Sequence, residues 1–227
     1  MLKNLFCRAL PLAALVLSST FSLAFAEDPA AATADTSTTA SSVLGGSVST
    51  LSVASASVDD DHWTAYGFNV TAPSSMWPML ELLHKYHFDW ELYSAQQKPT
   101  PLVWANLPPG TYGSYVPSQN IVKLSWVLQS SSVEVAASFL AHELTHLTDD
   151  LNGKLGDMSG DLCYAAETRA FVNEANFWQM VVGPLGKTTD DPIEAQENAK
   201  MFAFVGNSKF ADLVLRTTAS YVKQCGR

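Results

Sequence analysis

The residues best suited to chemistry are His142-Glu143-Leu144-Thr145-His146. Their neighbours Leu140, Leu144 and Leu147 recur at spacings of four and three, the period of one buried helical face. On a helix, residues four apart lie one turn above each other, so the imidazoles of His142 and His146 can converge on one ion. Glu143 sits roughly a hundred degrees further round the helix. There it is too displaced to ligate beside both histidines, but well placed to take a proton from a metal-bound water. Zinc suits this donor set and lowers the pKa of its water to about 7, giving a hydroxide that attacks a carbonyl at neutral pH.

A solvated helix can carry H-E-x-x-H by accident. Here the flanks are apolar, Phe139-Leu140-Ala141 before and Leu147 after, so the helix must be largely buried. Unpaired polar groups in such a setting are costly, and a metal satisfies all three at once.

Two histidines and a water leave one ligand to find. A continuation along the same helix fails, because Asp149 stands where H-E-x-x-H-x-x-G-x-x-H/D has its glycine and Asn152 where it has its last ligand. A second helical segment over Asp161–Val182 contains Glu167, 21 positions after His146, far enough for a turn and a returning helix. With these residues the chain resembles the zincin metallopeptidases of the glutamate-ligand branch, the gluzincins, and small exported metallopeptidase domains. The likeness is specific for His142, Glu143 and His146, weaker for Glu167, and runs loosely over residues 75–182. It implies one zinc ion held by His142, His146 and Glu167, Glu143 as general base, and a peptide or protein substrate. From the residues alone, Glu174, Asp157 and Asp161 compete for the third position, and Glu167 could be an exposed helix carboxylate. Such a site also needs a donor to the oxyanion. Tyr112, Tyr115, Tyr164 and Arg169 are candidates, and Tyr164 leads because it lies one turn before Glu167.

The elements around the motif predict an α+β fold, mainly helical, with a small sheet or hairpin before the metal helix. A helix capped by Ser74 or Ser75 runs to about Tyr86. The alternation in Phe88-Asp89-Trp90-Glu91-Leu92 reads as a half-buried strand, and Leu102-Val103-Trp104 as a second. Thr111–Val116 and Asn120–Leu124 form a hairpin around Pro117-Ser118-Gln119. Under the resemblance, this hairpin supplies the edge strand that pairs with extended substrate, or that strand's neighbour; an ordinary hairpin is the equal alternative. Asp150, one turn past His146, could orient its imidazole. Glu174 lies on the Glu167 stripe and either bonds near the site or faces water. Gly183-Pro184 stops the glutamate helix, Asp191-Pro192 starts another, and Ser208 to about Val222 forms the last.

Residues 1–26 read as an export signal: Lys3 and Arg8, an apolar core over Leu10–Leu23, and Ala24-Phe25-Ala26 at the cleavage position. Residues 27–60 are low-complexity and read as a flexible linker or leader, leaving 61–227 as the zincin-like domain. The expected location is periplasmic or secreted, with no stable membrane insertion once the signal is removed. Without Lys3 and Arg8, eleven basic residues face 22 acidic ones, a net charge of −11. That argues against nucleic acid as a partner. Cys7 leaves with the signal, and the remaining Cys163 and Cys225 most simply pair in an oxidising compartment, Cys163 as a soft ligand being the alternative. Two other functions fit the same residues: a zinc-containing binding module without efficient catalysis, and a metal-free structural domain.

Overall fold

The described chain, residues 62–156 and 158–226 of a computed structural model, begins with a hairpin, β1 (His62–Ala65) against β2 (Phe68–Thr71). Tyr66 and Gly67 both have positive φ, 54° and 86°, the geometry that suits a tight two-residue turn to the twist of its strands. The signal and linker expected over residues 1–60, and Asp157, lie outside the described residues. A 3₁₀ turn (Ser74–Met76) leads into α1 (Trp77–Lys85), whose Met79, Leu80 and Leu83 are buried.

The segment expected as a strand at Phe88–Leu92 is instead the start of α2, Asp89–Gln97. Phe88, Leu92 and Ala95, spaced four and three, are buried, whereas Trp90 is 59% exposed. The two-residue alternation was too short to outweigh that helical face, and Asp89 and Glu91 suit the positive end of a helix. β3 (Leu102–Ala105), β4 (Gly113–Val116) and β5 (Ile121–Ser125) form a mixed sheet in the order β3-β5-β4, with β3 parallel and β4 antiparallel to β5. The expected hairpin is therefore present, and β4 is the sheet's edge.

α3 (Val133–Leu151) is the central element. Every residue from Val135 to Leu147 is buried, packed on α1, α2, the sheet and the helices that follow. Ser132 caps it, accepting from the Val135 amide. α4 (Gly160–Val182) returns alongside it and ends at Gly183, whose φ of 84° a side chain would resist. α4 starts one residue before Asp161, which stays exposed and pairs with Arg216. α5 (Pro192–Phe204) is capped by Asp191 as expected. The last predicted helix is two, α6 (Ser208–Thr217) and α7 (Ala219–Cys225), broken where Thr218 turns extended. That break turns α7 back so that Cys225 forms a disulfide with Cys163 in the first turn of α4, the pairing the cysteine count predicts. The described residues thus make seven α-helices and two small sheets, the α+β class expected.

Candidate metal centre

α3 and α4 bring His142, His146 and Glu167 together, all buried, with donor atoms within 4.8 Å of one another. His142 Nε2 lies 3.2 Å from His146 Nε2, and the Glu167 carboxylate oxygens lie 3.7 and 3.8 Å from those two nitrogens. Ligands about 2.0–2.1 Å from a tetrahedral ion stand ~3.4 Å apart, so this spacing fits a first-row metal. Glu167 Oε2 is buried without a hydrogen-bond partner, an orphan that an ion at this point would satisfy. The group could hold one metal ion.

Behind the donors runs a chain of buried charges. His142 Nδ1 faces Glu174 Oε2 at 2.9 Å, which fixes the ring and points Nε2 at the centre. Lys200 on α5 donates to Glu174 and Glu197, 2.6 Å each, and Ser138 on α3 donates to Glu197 at 2.9 Å. Glu174 therefore turns inward rather than to water. Asp150, the candidate orienter of His146, instead accepts from Lys98 and the Tyr115 hydroxyl at the far end of α3.

Burial alone would lower the His142 pKa, but Glu167 and Glu174 outweigh it and raise it to about 10. His146 is lowered to about 4 by burial, with the His142 and Arg169 charges adding to it. Burial works against the Glu167 carboxylate, yet the two histidines hold it below its ordinary value. In the metal-free protein His142 is thus the protonated ring and His146 the neutral one.

Glu143 leaves α3 toward the sheet edge. The Tyr115 amide of β4 donates to its Oε2 at 2.7 Å, and Gly113 lies flat against the same carboxylate. A Cβ on Gly113 would stand 2.4 Å from Glu143 Oε1. Burial raises the Glu143 pKa to about 7, against the pull of the His142 charge. The edge strand therefore sits over the motif helix as expected, but its Tyr115 amide serves Glu143.

The expected oxyanion donors have the following neighbours. Tyr164 packs beneath the Arg216 guanidinium, 4.5 Å from its ring centre, on the outer α4–α6 face. Tyr112 packs on Phe139, the Tyr115 hydroxyl bonds Asp150, and Arg169 pairs with Asp149. Sequence reasoning missed Tyr221 on α7. Its hydroxyl is buried without a hydrogen-bond partner, and burial followed by the charges of Glu167, Glu174 and Glu143 pushes its pKa well up. Phe171 stands edge-on to both the His142 and Tyr221 rings. Gln224, also missed, donates to Glu167 Oε1 at 2.9 Å. Neither residue carries a local signal, since both reach the centre through the fold. No family model, curated protein or solved structure matches the chain.

Proposed function

We propose that the protein is an exported metallopeptidase that hydrolyses peptide bonds with one zinc ion held by His142, His146 and Glu167. The observation that carries this reading is the tetrahedral spacing of those three donors with the Glu143 carboxylate next along the helix. The resemblance of the motif to the gluzincins supports it. Zinc bound there would polarise the scissile carbonyl and lower the pKa of a water to about 7.

The chain's own residues supply the remaining steps. Glu174 holds the His142 ring so that Nε2 faces inward. Glu143, next along the helix from His142, is the base that takes a proton from the attacking water and returns it to the leaving amine. The Tyr115 amide keeps that carboxylate aimed. Tyr221, whose buried hydroxyl has no hydrogen-bond partner, joins Tyr164 as a candidate donor to the developing oxyanion. The disulfide supports an oxidising location, and no described helix is long and apolar enough to cross a membrane.

Glu143→Gln tests this reading. Both proteins should carry zinc near one ion per chain by mass spectrometry, and only the wild type should cleave a mixed peptide library. One observation favours a second reading, a zinc-containing binding module. Glu143 is only 3% exposed, with Gly113 and Tyr115 against its carboxylate, which narrows access for an extended substrate. Zinc in both proteins with cleavage in neither would select it.

A further inference from the structure

The C-terminal helix bears on the metal centre in a way the motif does not require. Cys163 lies one helical turn before Glu167 on α4, and Cys225 directly follows Gln224 on α7. The bridge between them, with Cα atoms 5.4 Å apart, sets Gln224 beside Glu167. Gln224 Nε2 then lies 2.9 Å from Glu167 Oε1 and 4.0 Å from Cys163 Sγ. One carboxylate oxygen is thereby held, and the other, Oε2, is the buried orphan that faces His142 at 3.7 Å.

α7 cannot keep this arrangement unaided. It has seven residues, too few to be a stable helix by itself, and only Tyr221 and Cys225 of it are buried. The disulfide is thus the covalent tether of the segment that carries Gln224, beside the buried Tyr221 ring.

We infer that Gln224 is a positioning residue for the metal centre, fixing Glu167 so that Oε2 is its ligating oxygen, and that the Cys163–Cys225 disulfide acts on metal affinity by holding Gln224 in place. The inference rests on the metal-centre reading above. The disulfide does not turn over in this role. It decides whether the third ligand is already oriented when an ion arrives or must be ordered by the ion itself. A pre-oriented ligand binds more tightly because less freedom is lost on binding.

The test measures zinc affinity by competition with a chromophoric chelator, using the full chain with its disulfide verified by mass spectrometry. Gln224→Leu keeps the bridge and the side-chain bulk but removes the donor. It should weaken zinc binding about 10–100-fold, the usual effect of losing a group that orients a ligand. Near-ultraviolet circular dichroism of the metal-free variant should match the wild type, so that the loss is one of affinity in a folded protein. Gln224→Met, of similar length and without charge or donor, should weaken zinc to the same extent as Gln224→Leu, which shows that side-chain shape is not the cause. Cys163→Ala with Cys225→Ala should weaken zinc at least as much as Gln224→Leu, with near-ultraviolet circular dichroism reporting that the core has folded. If that pair of changes prevents folding, folded wild-type protein with the bridge reduced and both thiols alkylated takes its place and decides the part assigned to the disulfide. Wild-type affinity in Gln224→Leu would overturn the inference while leaving the metal centre intact. A weakened Gln224→Leu beside an unaffected cysteine pair would overturn the part assigned to the disulfide. A wild-type protein that binds no zinc would overturn the metal centre and this inference with it.

Discussion

Gly113 shows how narrowly the site is built at the level of single residues. A glycine in a strand gives up side-chain packing, and here the space is taken by the Glu143 carboxylate. Gly113→Ala should push that side chain off the Tyr115 amide and leave His142, His146 and Glu167 where they are. The expected result is zinc content equal to wild type, with peptide cleavage lowered at least tenfold, the low end of what a positioned base contributes. Unchanged cleavage would mean that Glu143 does not need its present position. His142 and His146 were legible as a convergent pair from one helical turn of spacing, whereas spacing left Glu167 among several carboxylates and the resemblance singled it out. Gly113, Tyr221 and Gln224 were not, because each meets the centre only after distant elements pack. Tyr164 shares a face of α4 with Glu167 by spacing, but that spacing gives no sign that Arg216 on α6 covers its ring.

At the level of elements, α3 was readable from its apolar period and its cap, and β4–β5 from a turn between two extended runs. α2 was misread because five alternating residues fit both periods, and only the exposure of Trp90 and the burial of Ala95 separate them. The α6–α7 break at Thr218 leaves no clear mark in composition. α5 carries the least expected feature, Lys200, buried with Glu174 and Glu197 although its sequence context is an ordinary amphipathic helix. Removing one member of a buried ion group leaves its partners uncompensated, at a cost of about 3–5 kcal/mol. Lys200→Met should therefore lower stability by about that much in urea denaturation, far more than loss of a surface lysine. A change within about 0.5 kcal/mol, the usual range for surface substitutions, would show that the carboxylates rearrange freely.

For the whole molecule, the buried groups set a pH profile that differs between metal-free and loaded protein. His146, lowered to about 4 from 6.5, contributes stability that is present above 6.5 and lost as pH falls through 4. His142, raised to about 10, contributes stability that is full below 6.5 and lost as pH rises through 10. Glu143, raised from 4.5 to about 7, contributes stability that is full below 4.5 and lost by about 7, so the decline above pH 7 belongs to His142. Chelator-treated protein should thus unfold at progressively lower temperature between pH 7 and 10. A zinc ion held by His142 would displace its proton, so a loaded protein should lose less over that range. Equal alkaline slopes for the two forms would contradict the assignment of His142 as a ligand.

The three donors sit within a short stretch of chain, but the groups that hold them come from everywhere else. Tyr115 belongs to the sheet edge, Lys200 to α5 and Gln224 to the end of α7. A nascent or clipped chain can therefore possess every ligating atom and still lack the geometry. Metal occupancy becomes a gauge of completeness: an ion held tightly certifies that the chain has closed on itself from β4 to its last helix.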